Sequence, residues 1–249
     1  MSGINSQRGA KLQDYHRIMS QRTLLALACG LAFGAASAGT VQVSVTDRDG
    51  KPAQDVVVLI EPAVKVAPKP AAAPVIITQE NLKFAPFLTV VPMGSTLRFA
   101  NRDGYDHHVR SMPSGPLGSM PAVKNFEMRL DATAEAPSGG NDDYKPAPAR
   151  KKTGTTSFDV KVDQPGPIGL GCHLHSSMRG QVYVSSTPWF GKTDANGMLT
   201  LEGVPDGAIE LSLWHPDQLA EQAPQRLTAT AAPLKASGQL NFTPRRRRS

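Results

Sequence analysis

The sequence predicts an all-β protein, and three observations lead to that fold class. Apolar and polar residues alternate in short segments, as in residues 40–47, which is the period of a half-buried strand. Glycine (22) and proline (21) are frequent among the 249 residues, which favours short strands joined by turns. No stretch of the sequence shows sustained helical periodicity. A short helix is considered only at residues 216–223, where Pro224 would end it.

The predicted strands follow one another from residue 40 to residue 214. They are 40–47, 55–61, 84–91, 95–101, 107–112, 126–130, 157–162, 180–184, 191–193, 198–201 and 209–214. Turn residues separate several of them, and the Asn-Gly pair at 196–197 is a strong hairpin signal. Residues 63–74 are rich in Ala and Pro and predict an extended linker. Residues 134–153 are of low complexity and predict a disordered surface insertion.

Residues 1–38 predict a secretory signal peptide with an upstream extension at 1–18. Arg22 supplies the positive charge, residues 24–35 are apolar, and small residues at 36–38 form a cleavage site after Ala38. The apolar run is too short to anchor the chain across a bilayer. We therefore expect an exported, periplasmic protein without stable membrane insertion.

The net charge of +6 reflects the two ends of the chain. The leader carries a net +3 and the arginines at 245–248 add four, so the rest of the chain is close to neutral at −1. A nucleic-acid-binding domain would instead spread its basic residues over one face. The sequence thus predicts no nucleic-acid partner, and residues 244–249 are interpreted as a disordered basic tail.

Cleavage after Ala38 would leave Cys172 as the one cysteine of the mature chain, since Cys29 lies in the leader. A lone cysteine forms no internal disulfide, which leaves an inert buried thiol, an intermolecular bridge or a metal ligand. Its neighbours favour the ligand. His175 and Met178 follow it at spacings of three residues, so that a thiolate, an imidazole and a thioether share one short segment. Two His, one Cys and a weak axial Met form the ligand set of a blue-copper site.

The second histidine of such a set must come from elsewhere in the chain. His107 and His108 are adjacent, just after a predicted strand. Alternate residues of a strand share a face, so His107 should point inward with the apolar Val109, while His108 and Arg110 point outward. The predicted copper ligands are therefore His107, Cys172, His175 and Met178.

The region from 84 to 184 resembles the cupredoxins, which are small copper-binding β-barrels. The spacing Cys172-x-x-His175-x-x-Met178 is most similar to that of amicyanin, and Asn101 with 107–109 resembles the family's Asn…His-Asn-Val segment. The resemblance implies a Greek-key barrel or sandwich over residues 75–187 that binds one type 1 copper ion at the four ligands. It also places His108 where the family carries an asparagine that braces the cysteine loop.

Two outer segments, 39–62 and 190–243, resemble the two halves of a carboxypeptidase-regulatory-like module. The supporting motifs are Val-x-Val-x-Asp at 43–47, Gly-Lys-Pro at 50–52, and residues 193–207. The resemblance implies a small transthyretin-like β-sandwich that is interrupted by the copper region. The whole mature chain also resembles plastocyanin-like proteins of the methylamine-utilisation type.

Two functions fit these residues. The first is a periplasmic one-electron carrier. The resemblance implies that its redox partner docks transiently near His175. The alternative is a protein that stores or delivers copper, which His108 and His173 beside the ligands make plausible. A copper enzyme ranks below both, because the six histidines of the sequence show no second cluster of three. The sequence leaves the oligomeric state open.

Overall fold

Sixteen β-strands form the fold, in a computed structural model that describes residues 38–133 and 154–245. The all-β class predicted from the sequence is confirmed, and the helical structure of the described residues is limited to one short 3-10 turn, Pro116–Gly118. The strands are β1 (Ala38–Thr46), β2 (Val57–Pro62), β3 (Val75–Glu80), β4 (Lys83–Ala85), β5 (Leu88–Pro92), β6 (Thr96–Asn101), β7 (His107–Met112), β8 (Glu127–Leu130), β9 (Ser157–Lys161), β10 (Gly166–Cys172), β11 (Arg179–Ser185), β12 (Trp189–Lys192), β13 (Met198–Pro205), β14 (Gly207–Trp214), β15 (Gln225–Ala229) and β16 (Leu234–Gln239).

Three predicted features lie wholly or mostly outside the described residues. They are the signal peptide up to residue 37, the insertion at 134–153, and residues 246–249 of the basic tail. Within residues 38–133 and 154–245, no helix has the length and apolar character needed to cross a membrane.

The first sandwich contains two sheets, with strand orders β13-β1-β16 and β12-β2-β14-β15. Its strands come from the beginning and the end of the described chain. In β1 the alternation predicted from the sequence places Val41, Val43 and Val45 in the core and leaves the residues between them partly exposed. The valine side chains pack against residues of both sheets, among them Ile60 and Leu201.

The second sandwich contains sheets of order β4-β3-β6-β9 and β5-β11-β10-β7-β8. Its strands, β3 to β11, lie between the two chain segments that form the first sandwich. The core between its sheets includes Phe99, whose ring lies 5.2 Å from that of Phe158 and 5.3 Å from that of Phe126, measured between centroids. Cys172 and Met178 belong to the same core.

A third apolar cluster joins strands of the two sandwiches. Val57 and Leu59 of β2 and Trp214 of β14 pack there with Leu88 of β5. The Tyr183 ring of β11 lies 4.9 Å from the Trp214 ring. Strand β2 is therefore covered on both faces, which explains why its first four residues are all apolar, without alternation.

The structure corrects three details of the predicted elements. Residues 216–223 form turns and bends with no helix. Two hydrogen bonds hold a tight turn there instead: the His215 amide donates to the Gln218 side-chain oxygen, and the Gln218 amide donates to the His215 carbonyl. The strand predicted at 84–91 is two strands, β4 and β5, that belong to different sheets. Strands β3, β10, β15 and β16 were not predicted.

Candidate metal centre

Three donor atoms converge at one end of the second sandwich. The Nδ1 atoms of His107 and His175 lie 3.2 Å apart. The Cys172 Sγ lies 3.6 Å from His107 Nδ1 and 3.5 Å from His175 Nδ1. Three of the four residues predicted from the sequence are thus brought together, and they form a cluster that is able to hold a metal ion.

Two neighbouring strands of one sheet position His107 and Cys172. His107 is the first residue of β7, Cys172 is the last residue of β10, and the ladder pairs Cys172 with Val109. His107 is fully buried, as is Val109, while His108 on the opposite face is partly exposed. The His108 amide donates to Cys172 Sγ over 3.4 Å, so the two strand ends are joined at the sulfur itself.

The loop from Cys172 to Met178 brings in the other two predicted residues. The Met178 amide donates to the His175 carbonyl over 3.0 Å and closes a tight turn. His175 is half-buried, while Met178 is buried in the same core as Cys172. The Arg179 side chain holds the loop by donating to the carbonyls of Ser176 (2.6 Å) and Met178 (2.9 Å).

Asp103 is a site residue that the sequence did not single out. Its Oδ2 lies 2.8 Å from His107 Nε2, and because a carboxylate only accepts, the ring donates there and keeps Nδ1 free to bind a metal. Metal-binding histidines commonly donate their other ring nitrogen to a carboxylate in this way. The available signal in the sequence was that Asp103 lies four positions before His107. Asp106 lies in the same segment, however, and the sequence does not choose between the two aspartates.

Two further groups fix Asp103. The Asn101 side-chain oxygen accepts the Asp103 amide at 2.8 Å, and its NH₂ group donates to the carbonyls of Tyr105 and Asp131. The Asp103 carboxylate in turn accepts the amides of Asn81 and Leu82, which form the two-residue turn between β3 and β4. Both turn residues have positive φ, as a type I′ hairpin requires, and this is an uncommon backbone state for leucine.

Burial and hydrogen bonds shift the pKa values of three groups in the site, and the shift of Cys172 favours its metal-binding thiolate form. Burial raises the pKa of the Cys172 thiol, but hydrogen bonds with the His107 ring, the His108 amide and the His175 ring lower it to about 6, from an ordinary 9.0. Burial lowers the pKa of His107, and its bonds to Cys172 and Asp103 outweigh burial and raise it. Burial raises the pKa of Asp103, whereas bonds from His107 and the Asn81 and Leu82 amides lower it below its usual value. The thiolate, which is the form that binds metals, is therefore accessible at neutral pH.

The separations between the donor atoms fit a single bound metal ion. Metal–nitrogen bonds of about 2.0–2.1 Å and a metal–sulfur bond of about 2.3 Å place such donors roughly 3.3–3.8 Å apart for tetrahedral to trigonal angles. The observed separations of 3.2, 3.5 and 3.6 Å lie at or close to that range. Two imidazoles and a thiolate in a trigonal arrangement are a donor set that suits copper.

Comparisons with solved structures return copper proteins at low similarity. A novel purple cupredoxin from Nitrosopumilus maritimus is 17% identical, with 45% of this chain and 99% of that chain covered and a TM-score of 0.31. A methionine-to-alanine variant of amicyanin in its Cu(I) form is 17% identical over 51% of this chain and 98% of that one, with a TM-score of 0.30.

A third similar structure is a Cu-containing nitrite reductase from Thermus scotoductus SA-01. It is 17% identical, with 57% of this chain and 28% of that chain covered and a TM-score of 0.31. No protein-family model and no curated protein matches the chain. The geometry of the donor cluster is therefore the basis on which a function is assigned.

Asp103→Asn should weaken copper binding about 10- to 100-fold, because partners that orient a histidine ligand contribute that much to metal affinity. The amide keeps the shape of the carboxylate but loses the charge that holds the His107 Nε2–H. The measurement is competition for Cu(II) against a chelator of known affinity. Asp159→Asn is the matched control, since Asp159 pairs with Arg98 on the surface. Equal affinities for the two variants would contradict the positioning role of Asp103.

Proposed function

We propose that this protein binds one type 1 copper ion through His107, Cys172, His175 and Met178 and acts as a one-electron carrier of the cupredoxin type. The observation that carries the proposal is the convergence of His107 Nδ1, His175 Nδ1 and Cys172 Sγ within 3.6 Å of one another. A buried Met178 in the same core as Cys172 is consistent with a weak axial ligand.

Bound copper would supply one-electron chemistry by alternating between Cu(I) and Cu(II). The chain holds the donors in place through hydrogen bonds that do not depend on the metal. Asp103 orients His107, the His108 amide is directed at the cysteine sulfur, and Arg179 holds the Cys172–Met178 loop. A donor set fixed in this way favours transfer because little must rearrange when the charge of the site changes.

We also propose the domain organisation and location that the sequence predicts. Residues 75–187 would form the copper domain, and residues 39–62 with 190–243 would form the transthyretin-like sandwich. The supporting observation is that strands β3 to β11 build one sandwich and the remaining strands build the other. The protein would be exported to the periplasm, with cleavage after Ala38, and would have no catalytic role.

A redox partner is proposed to dock transiently at the end of the second sandwich where His175 lies. His175 is half-buried, and two exposed apolar side chains belong to the same region. Leu174 precedes it with 49% exposure, and the Tyr105 ring, 40% exposed, has its centroid 5.4 Å from that of His175. A small apolar contact of this kind suits a partner that must leave quickly.

Copper storage or delivery is the second candidate, and one observation favours it. His108 and His173 lie beside the proposed ligands on the outer face, with ring centroids 5.5 Å apart. Imidazoles at the surface offer a place where an incoming or departing copper ion can be held.

Cyclic voltammetry of the copper-loaded protein, combined with its visible spectrum, separates the two candidates. A carrier should give a reversible one-electron wave and an intense thiolate-to-copper absorption band. A delivery protein should hold Cu(I), release it rapidly to a chelator and show no strong colour. Irreversible or absent electrochemistry in a protein that retains copper would contradict the carrier proposal.

A further inference from the structure

We propose that His108, Glu127 and His173 form a second metal site on the surface, which binds a divalent transition-metal ion such as Zn²⁺. One potential ligand atom from each of the three residues lies within 4.8 Å of the others. The cluster shares no side chain with the proposed copper site. It is built from the residues that immediately follow His107 and Cys172 in the sequence, together with one residue of β8.

The strand geometry places the three side chains on one outer face. In the β7–β8 ladder His108 is paired with Arg129, so Glu127 is its diagonal neighbour on the same face of the sheet. His173 follows the end of β10, and its amide donates to the His108 carbonyl over 3.1 Å. Backbone pairing therefore holds all three residues in position before any metal binds.

The separation between His108 and Glu127 fits metal coordination. His108 Nε2 lies 3.3 Å from Glu127 Oε1. Two ligands that each bind zinc at about 2.0–2.1 Å in a tetrahedron lie about 3.3 Å apart, so one ion can bind both atoms with little movement. The His173 ring stands edge-on to the His108 ring, with centroids 5.5 Å apart and an interplanar angle of 63°.

The composition of the cluster points to a transition metal more than to a simple ion pair. An ion pair needs one imidazole and one carboxylate. This cluster adds a second imidazole, that of His173, with a ligand atom within 4.8 Å of those of His108 and Glu127. Two His and one Glu are a known zinc ligand set in which a fourth position stays open to water or another ligand. The side chains of His108 and Glu127 are 24% and 57% exposed, so ions have access from solvent.

The surrounding charges permit a cation at this position. Arg129, opposite His108 in the ladder, is engaged by the carboxylates of Asp106 and Asp131. Arg110 is paired in register with Glu127 in the β7–β8 ladder, so a positive charge belongs to the same face. The two imidazoles supply the affinity that an isolated glutamate beside an arginine lacks.

The test is equilibrium dialysis of the full chain against Zn²⁺ in a background that disables the inner site, Cys172→Ala with His175→Ala. This background is expected to retain one zinc equivalent per chain. Adding Glu127→Gln or His173→Ala should weaken the retained equivalent at least about tenfold, since even residues that only orient a ligand contribute 10- to 100-fold. Both positions are exposed, so the variants should fold. Glu202→Gln, an exposed acid on β13, is the matched control and should bind zinc as the background does.

Two results would overturn the proposal. One is a background protein that retains no zinc. The other is an unchanged zinc affinity when Glu127→Gln and His173→Ala are both added to the background. Neither outcome depends on whether the inner site binds copper. The zinc measurement therefore fails or succeeds separately from the proposed electron-carrier function.

Discussion

Cys172→Ser is expected to remove the intense visible absorption of the Cu(II)-loaded protein and to weaken copper binding at least about 100-fold. The band would arise from charge transfer between the thiolate and copper, and a serine hydroxyl has no equivalent transition. Loss of a ligand should exceed the 10- to 100-fold effect of a group that only orients one. The measurement is the visible spectrum during a Cu(II) titration, with affinity obtained by chelator competition.

Ser177→Ala is the matched control for this experiment. Ser177 lies in the same loop as Cys172, but it is exposed and lies outside both candidate metal clusters. The control should keep both the band and the affinity of the inner site. A Cys172→Ser protein that stays intensely coloured, or a Ser177→Ala protein that loses its colour, would contradict the assignment of the thiolate as the copper ligand.

Phe99→Ala should lower the free energy of unfolding by about 3–5 kcal/mol, which is the usual cost of removing a buried phenylalanine. Phe99 lies in the centre of β6, is fully buried and stacks on Phe158 with ring planes 22° apart. Removing it leaves a cavity in the core that also contains Cys172 and Met178. Urea denaturation followed by circular dichroism measures the change.

Ile76→Ala on the adjacent strand β3 is the control, because it also truncates a large apolar side chain but at an exposed position. Ile76 is 52% exposed, so its truncation should change the unfolding free energy by about 1 kcal/mol or less. Similar losses for the two variants would mean that Phe99 is not in a tightly packed core.

The sequence predicted those features whose cause is local. The alternation of β1 is visible because one of its faces is buried and the other is partly exposed. The inward direction of His107 followed from the strand period and the apolar Val109, and the structure places both in the interior. The cysteine loop was recognisable because three unusual ligand types lie within seven residues of sequence.

Features that depend on distant partners were missed. Strand β16 pairs in parallel with β1. The two strands lie near opposite ends of the described sequence, so neither segment carries a local sign of the pairing. Strand β10 was obscured by its glycines, and two of them are explained by close contacts with Met112 and Pro113. A Cβ at Gly169 would lie 2.6 Å from the Pro113 carbonyl oxygen, and one at Gly171 would overlap the Met112 sulfur.

The role of Asp103 was beyond sequence reasoning for a similar reason. Its carboxylate is held by the Asn81–Leu82 turn, which lies more than twenty residues away. Only the pairing of β3 with β6 brings that turn beside the histidine loop. The residues proposed as ligands were thus predicted from residue types, whereas the groups that orient them required the tertiary structure.

X-ray absorption spectroscopy at the copper edge of the loaded protein tests the central claim most directly, because it reports the atoms bound to the metal. The geometry of His107, Cys172 and His175 predicts one copper ion per chain at the inner site, with one short bond to sulfur and two to imidazole nitrogen. A copper environment of nitrogen and oxygen alone, with no sulfur neighbour, would contradict it.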